Sequence, residues 1–386
     1  MMRESYDVVV VGGGPGGCQA ARTAAEGGVS VLVVEKDPDI GSPVRCAEGV
    51  STRSLQEFYE PDPSFCRQFI NEFHLVAPNG THVEVAGVGE GYILDRKIFD
   101  RRVAEDAVRA GAQIVTNTNA IGARRVGDRV AVRLESRGEV LARVMVGADG
   151  TESRAGRWLG LRTFCPLHDM ETAAQYLVAG IDTPPNRMEM HFGSSVAPGG
   201  YFWIFPKGNG VANVGLGISG DHGAAHTAFF YLDQMLERHW PNASILGRTM
   251  GGVPCTGGVK EIVGDNVMLV GDAAHQANPL TGGGITNAMK AGRIAGRVVA
   301  EAIRSGDCTR RGLRAYHDEW EDVLGRAHRR FHRLKEGAFS LSDDALNSLA
   351  ETINRLPPGE RSLSTILARA LVARPKLLVE LARLVF

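Results

Sequence analysis

The sequence predicts an α/β protein with a Rossmann-like dinucleotide-binding domain, a second domain built on an antiparallel β-sheet, and a helical C-terminal region. Three observations predict it. Residues 6–36 read as strand, glycine turn, helix, strand; residues 166–261 are rich in short strands; and the chain beyond 309 is helical in pattern. The dinucleotide domain takes residues 1–60, 92–165 and 262–305, the sheet domain 61–91 and 166–261, and the helical region 306–386.

The β-branched run 8–11 ends at Gly12-Gly13-Gly14-Pro15-Gly16-Gly17, small residues to Glu26 form a helix, and a second apolar run ends at Glu35. Gly12, Gly14 and Gly17 stand in GxGxxG register, which gives a tight turn, close approach of a pyrophosphate to backbone, and close helix packing. Glu35, ~20 residues on, is placed to accept a ribose 2′-hydroxyl. Residues 95–111 then read as a helix, 113–116 as a strand, and 119–148 as a small meander turning at Gly127-Asp128. The 166–261 stretch carries one helix, at 224–239. From 262 the α/β pattern returns, with a strand at 267–270 running into Gly271-Asp272, then Pro279 and Gly282-Gly283-Gly284, and a helix to 303.

A second literal match, Gly215-Leu216-Gly217-Ile218-Ser219-Gly220, is not a nucleotide turn. Its upstream run follows Asn209-Gly210, a type I′ hairpin signal, so that strand lies antiparallel to residues 201–205 and cannot open a βαβ unit. No second dinucleotide domain is therefore expected for NADPH.

Composition narrows the class further. The 386 residues are 44% hydrophobic and 23% charged with a formal net charge of −1, which excludes disorder and any steering toward nucleic acid by overall charge. Six cysteines lie scattered with no CxxC pair, as in a reducing compartment. No apolar run reaches the ~20 residues of a membrane span, and no signal-peptide layout opens the chain. A cytoplasmic protein is expected, touching a membrane at most peripherally.

Two glycine-rich segments nearly 300 residues apart suit a long ligand, and FAD is one. Asp272, ending its strand, is placed for sugar or ribityl hydroxyls, while residues 282–284 open a helix whose amide-rich start favours anions. An NAD-only domain has no need of this remote half.

Three separated pieces, residues 12–17 with Glu35, Gly147-Ala148-Asp149-Gly150 with Ser153 and Arg157, and residues 271–275 with Pro279, resemble the flavoprotein group of p-hydroxybenzoate hydroxylase. The resemblance implies that Asp149 lies near the pyrophosphate and Asp272 near the ribityl chain. Tyr201-Phe202-Trp203-Ile204-Phe205-Pro206, followed by Gly215-Leu216-Gly217, resembles the YxWxFP…GxG signature of the geranylgeranyl reductase family. Residues 43–51 and 278–285 resemble segments of its archaeal members, and the likeness runs from about residue 5 to 304 before fading.

What the resemblance implies is an FAD-dependent reductase that saturates C=C bonds of geranylgeranyl chains, in the archaeal members those of digeranylgeranylglycerol phospholipids. A geranylgeranyl diphosphate, chlorophyll-ester or menaquinone side-chain reductase stays open, as does an FAD monooxygenase or halogenase on the same scaffold. The implied partners are a prenyl lipid and an external electron donor: ferredoxin, a deazaflavin or NADPH. A monomer is expected. The resemblance puts Gly12, Gly14, Pro15, Gly16, Gly17, Glu35, Lys36, Arg45, Cys46, Ala47, Gly49, Arg96, Ala120, Asp149, Gly271, Asp272, Pro279, Gly283, Gly284 and Ile285 beside the cofactor. It puts Tyr201, Trp203, Phe205, Pro206, Gly215 and Gly217 beside the prenyl chain.

These residues suit that reaction. An isolated alkene cannot stabilise a carbanion, so hydride addition needs a proton delivered with it or before it. Cys46, a thiol with an ordinary pKa of ~8.5, is protonated at neutral pH and is the candidate donor, although a small buried cysteine often merely packs. Tyr201, Trp203 and Phe205 alternate along one strand and so share a face. Such a strip serves a hydrophobic core as well as it serves a ligand lane. A C20 chain gains ~16 kcal/mol on leaving water, at ~0.8 kcal/mol per methylene, but far less on leaving a bilayer, so the lipid is expected to come straight from a membrane or carrier.

His275, His328 and His332 lack a convincing third metal ligand, and no metal is expected. The arginine-rich stretch 310–335 reads as a solvated helical face. The tail beyond Leu363 alternates apolar residues (Ile366, Leu367, Leu371, Leu377, Leu378, Leu381, Leu384) with Arg369, Arg374, Lys376 and Arg383 around Pro375, as core cover or as an interfacial helix.

Overall fold

The computed structural model describes residues 2–224 and 226–372, which places the tail positions 374–384 outside the described residues. The chain forms two compact units, the first of residues 2–44, 96–166 and 253–331, the second of 45–95, 167–252 and 332–372.

The first unit is built on an eight-stranded sheet. Its parallel centre runs Val267–Leu269, Gly138–Gly147, Ser5–Val11, Val31–Val34, Gln113–Val115, with Val10 opposite Val146 on one side and Val33 on the other. These strands are buried on both faces, which is why they read as unbroken apolar runs. The expected meander is present, since Ala120–Val126, Arg129–Leu134 and Gly138–Gly147 pair antiparallel. The last of these strands then continues into the parallel sheet. Helices Pro15–Glu26 and Ile285–Ser305 cover one face, in one core with Val8, Val10 and Met268. They cross closely because Gly292 has no side chain: a Cβ there would lie 2.3 Å from the Gly16 carbonyl oxygen.

The second unit carries a seven-stranded sheet in the order Ser244–Pro254, Met170–Ala179, Val211–Ser219, Tyr201–Gly208, Arg187–His191, Glu72–Val76, His82–Glu84. Asn209 and Gly210 both have positive φ, and Val211–Ser219 runs antiparallel to Tyr201–Gly208, as the hairpin signal predicts. One pairing departs from the expected antiparallel sheet: Arg187–His191 runs parallel to Glu72–Val76. Those strands are separated by over a hundred residues of chain, which leaves ample length for a crossover. A small sheet of Gly49–Ser51, Gly91–Leu94 and Cys66–Ile70 belongs to the same unit.

Period two divides the large sheet's faces. Phe202, Ile204, Val214, Leu216 and Ile218 pack with Leu232, Met235 and Leu236 of the helix Ala228–His239. That helix starts later than expected because the Thr227 hydroxyl caps it, accepting from Phe230 N–H. On the opposite face Trp203 and Phe205 pack with Ile70, Ile93 and Met190, and Tyr201 borders them.

The units are divided differently from the sequence-based domains. Residues 45–60 join the sheet unit, because Gly49–Ser51 pairs with Gly91–Leu94. The helical region is not a separate body. Leu313, Tyr316 and Trp320, one helical face, complete the first unit's core, whereas Ala350, Ile353 and Ile366 pack on Val83 and Val85 of the second.

The stretch 310–335 is likewise only partly solvated. Arg310, Arg311 and Arg314 are exposed or nearly so, but His328 is buried against the Thr256 carbonyl (3.0 Å). His332 and the buried Lys335 reach the Asp169 carboxylate at 2.8 and 2.7 Å. Positions 328, 332 and 335 fall on one helical stripe, and a stripe that faces inward buries its cations only with partners.

Candidate functional site

In the first unit the glycine turn is shaped by what would collide. A Cβ on Gly12, whose φ is +108°, would sit 2.2 Å from the Ala148 carbonyl oxygen, and one on Gly17 2.1 Å from the Gly12 carbonyl oxygen. Gly14 differs, because a Cβ there would meet no protein atom within 4 Å. The helix that follows begins with Gly14 as cap and Pro15 at its first position, with no side-chain cap and no acid in its first turn, so its amides face outward for an anion. Glu35 accepts from Gly13 N–H at 2.6 Å and Asp37 N–H at 2.9 Å, so its carboxylate is already oriented on the turn, each oxygen keeping a further lone pair.

The other expected pieces gather in the same unit. The Ser153 hydroxyl donates to the Ala273 carbonyl at 2.7 Å, which ties the turn after Asp149 to the turn Gly271–Ala274. Asp149 Oδ2 accepts Ala155 N–H at 2.8 Å, while Oδ1 is buried with no hydrogen-bond partner among the described residues, and burial raises this carboxyl above its ordinary value. Burial likewise raises Asp272, opposed by the charge of Arg96. Arg96 makes a fork onto Asp100 at 2.7 and 2.9 Å. Pro279 and Ile285 are buried, Gly283 and Gly284 precede the helix Ile285–Ser305, and that helix also starts without an acid. Lys36 pairs with Glu152 on the surface (3.0 Å), and Ala120 is packed in the core with Leu32 and Leu134.

These features fit FAD. The open cradle at Gly14, the uncapped helix starts and the orphaned Asp149 oxygen suit a phosphate- and sugar-bearing ligand. Sequence reasoning missed the brace beneath the Gly271 turn. Gln276 accepts from Gly271 N–H at 2.7 Å and donates to Tyr316 Oη at 3.1 Å, and Tyr316 donates to the Leu269 carbonyl at 2.6 Å. A lone tyrosine in a helix gives no sequence signal for this.

Arg45, Cys46, Ala47 and Gly49 belong to the second unit, with the aromatic strip. Ring centroids of Tyr201 and Trp203 lie 5.9 Å apart and those of Trp203 and Phe205 6.3 Å, so the three form a continuous aromatic strip on one face. Gly49 lies under Phe205, with 3.2 Å from its would-be Cβ to the ring, and Pro206 is buried in the same strand. Gly215 and Gly217 pair with Trp203 and Tyr201 and keep the neighbouring strand low beside them.

Four polar side chains of this face escaped the sequence reading. Gln175, Asn213 and Lys207 all bond the 46–48 segment, and Glu171 lies buried beyond them with neither carboxylate oxygen hydrogen-bonded among the described residues. Burial pushes Glu171 up to about 7, with Lys335 drawing it down and Asp169 and Asp221 drawing it further up. Asp169 moves the other way: burial works to raise it, but hydrogen bonds from His332 and Lys335 and their charges hold it at about 2. The signal for Asn213 was present in the sequence, since it stands two residues before Gly215 and so shares its face.

Residues 169–253 match the geranylgeranyl reductase catalytic domain and residues 7–153 the FAD-dependent oxidoreductase family. The chain is 44% identical to a digeranylgeranylglycerophospholipid reductase of Methanothrix thermoacetophila, over 98% of this chain and 99% of that one. It is 42% identical to the enzyme of the same name from Methanosphaerula palustris, over 99% and 98%. A crystal structure of a geranylgeranyl bacteriochlorophyll reductase-like protein from Thermoplasma acidophilum superposes with a TM-score of 0.91 at 36% identity, covering 99% of each chain. A flavin-dependent brominase shares the fold alone, with a TM-score of 0.71 at 19% identity over 96% of this chain and 94% of that one.

Proposed function

The chain belongs to the geranylgeranyl reductase family and is an FAD-dependent oxidoreductase, and from that premise we propose that it saturates the double bonds of geranylgeranyl chains in digeranylgeranylglycerophospholipids. The observation that carries the reading is the continuous lane of Tyr201, Trp203 and Phe205 on the sheet face that also holds Cys46 through Gln175. An apolar lane with a proton-bearing thiol at its side is what an unactivated alkene requires of a protein.

FAD, when bound and reduced, supplies the electron pair as hydride. Gly12 to Gly17 and Glu35 hold its ADP portion, Asp149 its pyrophosphate side, and Asp272 with Gly283 and Gly284 its ribityl side. The lane keeps the prenyl chain dry and extended, and aromatic faces lessen the cost of cationic character at a substituted carbon. Cys46 gives the proton from Sγ and regains one from solvent, so each cycle breaks one π bond and forms two C–H bonds.

We propose that the electron donor is external, a ferredoxin, a deazaflavin or NADPH; the second glycine motif lies in an antiparallel hairpin and so forms no dinucleotide turn. Among the described residues no helix is long and apolar enough to cross a membrane, and we propose that a cytoplasmic monomer meets its lipid at the bilayer surface. Reduced protein incubated anaerobically with a digeranylgeranylglycerol phospholipid should yield lipid heavier by pairs of hydrogens in mass spectrometry. Hydrogenation of menaquinone alone, or a product formed only with oxygen, would reassign the substrate or the chemistry.

A further inference from the structure

The 46–48 segment is held at three successive residues by side chains rising from the sheet face. Gln175 Nε2 donates to the Cys46 carbonyl at 3.0 Å. Asn213 Nδ2 donates to the Ala47 carbonyl at 3.2 Å and to Glu48 Oε2 at 2.6 Å. Lys207 Nζ closes an ion pair on the same Glu48 oxygen and donates to the Leu94 carbonyl at 3.2 Å. Glu48 is buried and has a φ of 74°, and its N–H donates to Cys46 Sγ at 3.2 Å. Placing Gln, Asn, Lys and Glu on an otherwise apolar face is costly unless each is partnered, and here their partners converge on the one segment that carries the thiol.

Gln175 is also the link to the lane. Its Oε1 accepts the Trp203 indole N–H at 3.1 Å. The indole can lie flat on the neighbouring strand because position 215 is glycine: a Cβ there would stand 2.6 Å from Cζ2 and 2.8 Å from Cε2 of the ring. One amide therefore bridges the central aromatic ring and the Cys46 backbone.

We propose that Gln175 is a positioning residue for the reduction, fixing the Cys46 thiol relative to Trp203 so that a prenyl chain seated on the lane meets the proton at one constant place. This rests on the reading of Cys46 as the proton donor. Gln175 acts through the Cys46 carbonyl, to which it donates. The glycine of the signature thereby acquires a physical reason, since it allows the ring orientation that the bridge needs.

The test uses the FAD-loaded, full-length protein and two variants. Gln175→Met keeps bulk and removes both hydrogen bonds; Trp203→Phe keeps an aromatic ring but removes the indole N–H together with part of the ring's bulk. Expected for Gln175→Met is a fall in kcat of about tenfold or more with the lipid KM within about threefold, because orientation and not lane binding is lost. Trp203→Phe should show the same direction with a smaller fall. In both, the pH profile of iodoacetamide alkylation at Cys46, followed on its own peptide by mass spectrometry, should move from that of the parent, which a merely structural residue would not cause. In a Cys46→Ala background, Gln175→Met should add no further loss. Full additivity there, or an unmoved alkylation profile in both variants, overturns the proposal. Should Cys46→Ala turn over like the parent, the proton assignment falls instead, and the alkylation profile alone decides whether Gln175 sets the thiol.

Discussion

In the dinucleotide unit the candidate site is shaped mainly by backbone, amides at two helix starts and carbonyls packed so tightly that only glycine fits, with the carboxyls of Glu35, Asp149 and Asp272 added to it. In the sheet unit it is carried by side chains, polar groups planted on an apolar face and paired with one another. The difference has a physical origin. A phosphate needs only N–H groups and room, which any sequence with glycines at the right places provides. A hydrocarbon chain offers nothing to bond, so the protein must build its own orienting groups and satisfy each of them internally. Substitutions should thus act through space in the first unit and through charge and pairing in the second.

The largest effect is expected at Gly12, set against Gly14. Gly12→Ala places a Cβ on the Ala148 carbonyl at a positive φ, which should cost about 3 kcal/mol or more and yield protein without flavin absorbance. Gly14→Ala meets no protein atom, so the apoprotein's unfolding free energy should change by less than about 1 kcal/mol while the FAD Kd rises about tenfold or more. Equal damage to apoprotein stability in the two variants would break the view that one glycine serves packing and the other the ligand.

Next in size is Asp169→Asn. It leaves the buried Lys335 without its carboxylate and weakens the hold on His332, and breaking such a pair typically costs 3–5 kcal/mol, of order about 3 here, measured by denaturant unfolding at pH 7. Because the folded carboxyl lies below its ordinary 3.8, at about 2, the parent's stabilisation is present above pH 4 and lost as pH falls through about 2. The variant should lack that acid-side loss.

The contrast also explains what could be read in advance. Gly12, Gly14, Gly17 and Glu35 were legible because the turn is contiguous, and its demands on each position are local. Tyr201, Trp203 and Phe205 were legible as one face because a strand has period two. Gln175, Glu48 and Lys207 were not, since each acquires meaning only when Met170–Ala179, Val211–Ser219 and Tyr201–Gly208 pair and the 46–48 segment settles on them. His332 and Lys335 were misjudged for a related reason: counting charge along 310–335 hid the stripe at 328, 332 and 335 that faces inward. The split of the C-terminal helices was hidden as well, because amphipathic periodicity shows that a face is buried but not against which strands.

The smallest and most discriminating effect concerns Glu171, the one acid of the lane face with no hydrogen-bond partner for either oxygen among the described residues. Its folded value of about 7 lies above its ordinary 4.5, so between these the folded state keeps a proton that the unfolded state has released, and stability must fall as pH rises. The full penalty, about 3 kcal/mol, is reached above pH 7. Glu171→Gln keeps shape and neutrality, so it should match the parent below pH 4 and exceed it at pH 8, and its stability should lose that slope; an unchanged slope would assign it to another group. Lys335 sharpens the point, because it lowers Glu171 while already spent on Asp169. In an Asp169→Asn background Lys335 is released to face Glu171, and the slope should move to lower pH. That shift would show that Glu171 feels both the Asp169 charge, which raises it, and Lys335, which lowers it, so polar groups on this face act as a coupled set where the glycines of the other unit act singly.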